Sequence, residues 1–419
     1  MKVSILSQWF DPEPGSAAVP GVLARALVGR GHQVQVVTGF PNYPTGHLMD
    51  GYRIRRRQDE TTDDGAAVRR VALYPSHDRS GWRRFANFGS FALSATASAL
   101  PALRDADAVW VYNSPATVGL PSALASARGG PPHLMHVLDL WPDSIGFSGL
   151  TSGDAYARMG PLLNRWCDFT YRHAAAIACI SRGVRDELVT RGVPDAKLHY
   201  VPVWTDEERH RPRSRDARLA ETLGVADSFV VLYAGNLGDA QGLDGLLTAC
   251  AGLGDLPALR CLIAGSGTAE KRLRAQTARL GLTNVRFLGR WPAEEMGGLM
   301  SIGDVHLVSL NDHPLAAITL PSKLPATMAS GRAVCAVARG ETARIVEESG
   351  AGWTVAPGDS AALADALRAA YLIGRDGTAK LGEQARRYYD RELSLDRGVD
   401  SIEDLLLGLA RSSVREVAA

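Results

Sequence analysis

The residues best placed to do chemistry lie in glycine-rich turns that join an apolar run to a helical pattern. Tyr233-Ala-Gly-Asn-Leu-Gly-Asp-Ala-Gln-Gly-Leu-Asp-Gly-Leu-Leu247 is the fullest of them. A strand running through such a turn into a helix leaves backbone N–H groups unpaired at the helix start, where a phosphate can sit. Gly235 and Asn236 are the candidate ligands there. A second turn of this kind, Asp11-Pro-Glu-Pro-Gly-Ser-Ala-Ala18, follows the strand-like residues 3–10 and precedes the helical spacing of Val22, Leu23, Ala26 and Leu27. It offers Gly15 and Ser16. Ala264-Gly-Ser-Gly-Thr268 places Gly265 after a strand, as an N–H donor or as a plain tight turn. In Thr319-Leu-Pro-Ser-Lys323, Ser322 is placed to cap a helix and Lys323 falls in its first turn. A cation there opposes the helix dipole, which a bound anion would explain. Glu341, in Gly340-Glu-Thr342, opens another helix and is either a ligand or an ordinary first-turn carboxylate.

In the first half, His136-Val-Leu-Asp-Leu-Trp-Pro-Asp143 sets Asp139 just beyond a buried strand. Such a carboxylate can hold sugar hydroxyls, accept a proton or cap the loop. His136 alternates with apolar neighbours and reads as a core histidine, with a catalytic role as the alternative. Ser181 and Arg182 stand where a helix cap and an anion ligand could be. No nucleophilic triad and no clustered metal ligands are legible. The expected chemistry is therefore transfer by positioning and electrostatics, with no metal and no cofactor beyond a donor substrate.

These residues need two scaffolds. At 419 residues the chain exceeds one ordinary core. Short apolar runs alternate with helical patterns, the mark of parallel sheets covered by helices. Strands are predicted at 3–6, 33–38, 67–73, 108–112, 133–138, 176–180 and 198–201, then at 229–233, 259–264, 285–288, 305–309, 333–337 and 352–355. The polar stretch 205–216 reads as a linker. The expected domains are 1–205, 206–385, and a helical tail, 386–419, that crosses back to the first. Ligands of open parallel sheets bind beyond the carboxyl ends of the strands, so the two halves are expected to face each other across a cleft.

The 46 Lys and Arg against 45 Asp and Glu, a net charge of +1, argue against a nucleic-acid partner. The five cysteines have no metal spacing and read as core residues of a cytoplasmic protein. No signal peptide and no apolar run of about 20 residues is present. Arg53, Arg55, Arg56, Arg57, Arg69, Arg70, Arg79, Arg83 and Arg84 precede the aromatic stretch Phe85-Ala-Asn-Phe88. That region, Arg83 to Phe88 above all, could touch the anionic inner face of a membrane or be a solvated surface.

Taken together, Phe10-Asp-Pro-Glu-Pro-Gly15, Asp139-Leu-Trp-Pro142, Ile180-Ser181, Pro202-Val-Trp-Thr-Asp206, the 233–243 turn, Ala264-Gly-Ser-Gly267, Pro321-Ser-Lys323, Met328-Ala-Ser-Gly-Arg332 and Gly340-Glu341 resemble glycosyltransferase family 4. These are retaining GT-B transferases with two Rossmann-like domains. The nearest resemblance is to the branch of colanic-acid and O-antigen fucosamine transferases. It implies a UDP-, GDP- or dTDP-sugar held by the second domain, with its diphosphate at Gly235, Asn236 and Lys323. Gly15 and Ser16 close on that diphosphate, the acceptor binds the first domain, and Asp139 and Lys323 act in catalysis. Acceptors consistent with it are a saccharide, a lipid-linked saccharide or a small natural product. The chain departs from the family where Leu138 replaces a histidine and where Ile318 and Ala326 replace two glutamates, the second of which normally binds ribose. Glu341 is the candidate replacement. The same architecture keeps a nucleotide-sugar 2-epimerase in view, and Ile318 and Ala326 at the glutamate positions keep a non-catalytic sugar-nucleotide-binding protein in view.

Overall fold

The computed structural model describes residues 1–76, 81–147 and 153–418. Arg79 of the basic stretch lies outside them. The chain forms two compact units: Met1–Val201 with Gly398–Ala419, and Pro202–Arg397.

The first unit holds an eight-stranded sheet of β1 (Lys2–Leu6), β2 (Gln33–Gly39), β3 (Arg57–Thr61), β4 (Ala67–Val71), β5 (Ala108–Asn113), β6 (His133–Val137), β7 (Ala176–Cys179) and β8 (Leu198–Tyr200), in the order β3-β4-β2-β1-β5-β6-β7-β8. Every residue of β5, β6 and β7 is buried. Continuous apolar strands of this kind are what a parallel sheet covered on both faces requires. On one face Leu6, Val37, Val109 and Val111 pack with Phe91, Ala95 and Leu103 of the helix Gly81–Arg104.

β3 was not expected. Its sequence, Arg-Gln-Asp-Glu-Thr, has no apolar residue and reads as surface charge. It pairs antiparallel at the sheet edge with β4, where Asp59 meets Arg57 and Arg69 and Glu60 meets Arg70. Cross-strand charge pairs supply what apolar alternation supplies elsewhere. Arg57, Arg69 and Arg70 of the basic stretch are thereby paired within the unit.

The second unit is an all-parallel sheet of β9 (Phe229–Ala234), β10 (Leu259–Ala264), β11 (Val285–Gly289), β12 (Val305–Ser309), β13 (Ala333–Val337) and β14 (Gly352–Val355), ordered β11-β10-β9-β12-β13-β14. The order reverses beside β9, whose carboxyl end carries the glycine-rich turn, so that turn stands at the switch point of an open α/β sheet.

The unit boundaries fall at 201/202 and 397/398 rather than at 205/206 and 385/386. The stretch read as a linker is anchored in the second unit: Arg215 donates to the carbonyls of Ile302, Val225 and Ser228 and pairs with Asp304. Glu207 accepts from the Tyr389 hydroxyl at 2.8 Å and from the Leu395 N–H at 2.7 Å, which keeps the chain in that unit past residue 385.

The last helix, Leu395–Ala418, is pinned to the first unit through Glu403. Its carboxylate accepts from Arg30 at 2.5 Å and meets His32 at 2.6 Å, while Arg30 also pairs with Asp400 at 2.7 Å. His32 and Arg30 together hold the Glu403 carboxyl below its ordinary value of 4.5. A carboxyl depressed by folding stabilises the fold above its unfolded pKa and loses that contribution as pH falls through the folded value. Glu403→Gln is expected to cost about 1 kcal/mol at neutral pH and to speed proteolytic removal of the last helix. The difference from wild type should shrink on acidification below pH 4.5, as urea melts across that range would show.

Candidate active site

In the second unit the glycine turns brace each other. The Gly235 N–H donates to Ala264 O at 2.9 Å, the Leu237 N–H to Ser266 O at 3.0 Å, and the Ala269 N–H to Leu237 O at 2.8 Å. The Gly238 N–H goes to Gln241 Oε1 at 3.0 Å and the Gly265 N–H to Gly289 O at 2.7 Å. This corrects the expectation that these N–H groups are offered to a phosphate: at Gly235 and Gly265 they are spent inside the protein. What the two glycines provide is room. A Cβ at Gly265 would overlap the Gly235 carbonyl, and one at Gly235 would overlap Cε of Lys323. Both have positive φ, +151° and +140°. Asn236 remains exposed at the tip of the turn, with its carbonyl held by the Tyr233 hydroxyl at 2.6 Å.

Lys323 fills the space beside Gly235. Its Nζ stands 5.4 Å from the Tyr233 ring centroid, a cation–π distance. No carboxylate or carbonyl among the described residues accepts a hydrogen bond from it. Burial pushes its ammonium down to about 8. Lys323 opens the helix Lys323–Ala329; Ser322 precedes it with helical φ/ψ, and its exposed side chain makes no cap hydrogen bond, contrary to expectation. A polar hydroxyl and an unpaired cation thus stand side by side at the end of the sheet.

Glu341 follows Gly340, whose φ of +61° and close approach to the Ala317 carbonyl exclude a side chain there. The Glu341 carboxylate is buried and accepts from Arg344 Nη2 at 2.6 Å, and Arg344 also meets Glu348 at 2.6 Å. Its internal partner therefore lies three residues on in the same helix, at the i,i+3 spacing of a helical ion pair.

In the first unit, Gly15 (φ +70°) and Ser16 open an exposed 3-10 turn, Gly15–Ala18. Two residues missed in the sequence hold it. Glu13 is buried and accepts N–H bonds from Phe10 (3.1 Å), Asn42 (2.8 Å) and Tyr43 (2.8 Å), and desolvation raises its carboxyl despite them. The Tyr112 hydroxyl donates to Ser16 O at 2.8 Å. Asp139 lies two residues past β6, half-buried, and accepts from Ser114 Oγ at 2.6 Å. Desolvation raises its carboxyl, opposed by the Ser114 bond and by Arg84. His136 is buried edge-on to Trp110 and is pushed down to about 4, so it stays neutral near pH 7. Ser181 caps its helix through Val184 N at 3.0 Å. Among the described residues no group of three or more His, Cys, Asp or Glu could hold a metal ion.

The aromatics of the basic stretch turn inward rather than outward. Phe85 and Phe88 pack on Trp141 at 6.2 and 6.0 Å, leaving Trp82 (78% exposed) and Leu93 (68%) as the exposed apolar side chains of that helix. No helix among the described residues is long and apolar enough to cross a membrane.

Residues 15–204 match the glycosyl transferase 4-like domain, and residues 216–388 match the glycosyl transferases group 1 family. The chain belongs to the family 4-like GT-B glycosyltransferases. It transfers a sugar from a nucleotide-diphosphate sugar. This glycosyltransferase is 26% identical over 420 residues to WcaI of Escherichia coli K12, named for colanic acid biosynthesis, covering 96% of this chain and 100% of that one. It is 27% identical over 265 residues to the glycosyltransferase WbjE of Pseudomonas aeruginosa, covering 62% and 65%. Among solved structures it resembles Anabaena HepE in complex with UDP (TM-score 0.72, 19% identity, 97% of this chain and 100% of that one). It also resembles the sucrose-phosphate synthase of Thermosynechococcus elongatus (TM-score 0.74, 18%, 98% and 99%).

A desolvated ammonium on a half-buried side chain, with no anion beside it, costs stability and can take one up. Between about 8 and its ordinary value of 10.5, the unfolded chain holds a proton that the folded glycosyltransferase does not, so this cost is greatest below pH 8. Lys323→Met, which keeps the alkyl packing, is expected to raise the melting temperature at pH 7 while lowering kcat by about 10- to 1000-fold. Wild-type donor affinity should weaken as pH rises through about 8, and calorimetry should find that dependence gone in the variant.

Proposed function

We propose that this protein is a retaining transferase of cell-surface polysaccharide assembly, of the colanic-acid and O-antigen fucosamine type, acting on a lipid-linked saccharide. The observation that carries the donor half is Lys323, a desolvated cation with no internal anion at the carboxyl end of β9. The full-length likeness to WcaI, named for colanic acid biosynthesis, supports the place in polysaccharide assembly. In this reading the diphosphate lies against Lys323, Ser322 and the Asn236 tip, Gly235 and Gly265 leave room for the Lys323 side chain and for the turn beside it, and Gly15 and Ser16 are the first unit's candidate phosphate ligands. The acceptor oxygen bonds to the anomeric carbon as the bond from that carbon to the phosphate oxygen breaks. The electron pair leaves on the nucleoside diphosphate, where Lys323 offsets the growing charge, and the hydroxyl proton passes to the departing phosphate. Asp139 accepts a hydrogen bond from a sugar hydroxyl. Glu341, paired with Arg344, supports its helix in this reading, so Glu341→Gln should change donor affinity far less than Lys323→Met.

A binding screen of UDP-, GDP- and dTDP-sugars, followed by transfer to a polyprenyl-diphosphate saccharide or to a soluble aglycone, tests the assignment. Turnover only with the aglycone would move the protein to natural-product glycosylation, and donor breakdown yielding an epimerised sugar would make it an epimerase. Asp139→Asn is expected to lower transfer at least tenfold (about 1.4 kcal/mol in the barrier) while donor affinity in calorimetry stays within about twofold. Peripheral membrane contact falls in this reading to Trp82, Arg83 and Leu93 rather than to Phe85 and Phe88. Replacing Trp82 and Leu93 by serine should reduce co-sedimentation with anionic vesicles and leave transfer to a soluble acceptor unchanged.

A further inference from the structure

The end of β5 reaches two separate parts of the first unit's carboxyl edge. Tyr112 donates to the Ser16 carbonyl at 2.8 Å, and two residues later Ser114 Oγ donates to Asp139 Oδ2 at 2.6 Å. Ser114 is nearly buried (8% exposed), while Asp139 keeps access to solvent. Among the described residues Ser114 is the only side chain that hydrogen-bonds to that carboxylate. The groups that interact with Asp139 electrostatically are Arg84, on the helix Gly81–Arg104, and the Tyr112 phenol.

We propose that Ser114 is a positioning residue for sugar transfer: by holding Oδ2 of Asp139 it fixes the carboxylate plane and leaves Oδ1 to accept the hydrogen bond of a sugar hydroxyl. The inference rests on Asp139 acting in transfer. A half-buried carboxylate held by one hydrogen bond swings about its Cβ–Cγ bond when that bond is lost. Its charged form also loses a stabilising donor, so it takes up a proton at higher pH. A hydroxyl packed in this way could alternatively serve only the loop that carries it. The two roles separate in the pH profile and in the split between kcat and KM.

The test compares wild type, Ser114→Ala, Ser114→Thr, Asp139→Asn and the Ser114→Ala/Asp139→Asn double variant. It follows transfer from the donor found in the screen between pH 5 and 9, with donor affinity measured alongside. Ser114→Ala should lower kcat by about three- to tenfold, leave donor affinity unchanged and move the acid limb of the profile to higher pH. Ser114→Thr should restore both, and the double variant should be no worse than Asp139→Asn alone. An unmoved acid limb in Ser114→Ala, or a further loss when it is added to Asp139→Asn, overturns the positioning role even if Asp139→Asn is impaired. Full activity in Asp139→Asn would sink the Asp139 reading itself.

Discussion

Lys323 can stand where it does only because residue 235 has no side chain, and Gly235 can take that conformation only because Gly265 leaves its carbonyl free to approach. One cation and two missing Cβ atoms form a chain of steric dependence across β9, β10 and the helix Lys323–Ala329. The backbone N–H groups expected to meet a phosphate are committed inside the unit: those of Gly235 and Leu237 lock the first turn to the second, and that of Gly265 goes to Gly289 at the end of β11. Rigidity is bought there at the expense of donors, and the positive charge is left to a single ammonium. A preorganised charge costs no rearrangement when the leaving group develops its own, which suits a reaction driven by electrostatics rather than by a covalent intermediate.

The first unit solves the opposite problem, holding exposed groups still from below. Glu13 gathers three N–H groups from two segments, and the Tyr112 hydroxyl clamps the 3-10 turn from the neighbouring strand. Neither needs to meet a substrate to matter. Their buried hydrogen bonds fix the loop path, and a buried acceptor stripped of such donors would destabilise the unit.

Much of this architecture was legible in the sequence. Buried parallel strands are continuous apolar runs, and 259–264, 305–309, 333–337 and 352–355 match their observed bounds. β3 was missed because its stability comes from pairing with β4, a non-local fact that no pattern within Arg57–Thr61 displays. Lys323 was legible because a cation at a helix start is locally unfavourable. The destination of the Gly235 and Gly265 N–H groups was not, since it depends on the ends of β9, β10 and β11 lying side by side in space. Glu341 was ambiguous for another reason: its helix start and its Arg344 neighbour at i+3 were both readable, but the direction its carboxylate takes was not. Ser114 and Tyr112 carry no motif at all, and only the placing of β5 between β6 and β1 gives them their partners, Asp139 beyond β6 and Ser16 beyond β1.

The return of residues 398–419 to the first unit makes that unit discontinuous in the chain. Val399, Ile402 and Leu406 are fully buried, so its core closes with residues translated only after the whole second unit. During synthesis at about 5–20 residues per second, the first sheet must wait on the order of 10–40 s for its final helix. Through that interval an apolar face stays open, and Arg30 and His32 stand without their carboxylate. Premature termination anywhere in the second unit would therefore leave the first unfinished too, and a nascent chain of this design has reason to depend on a chaperone that covers the open face.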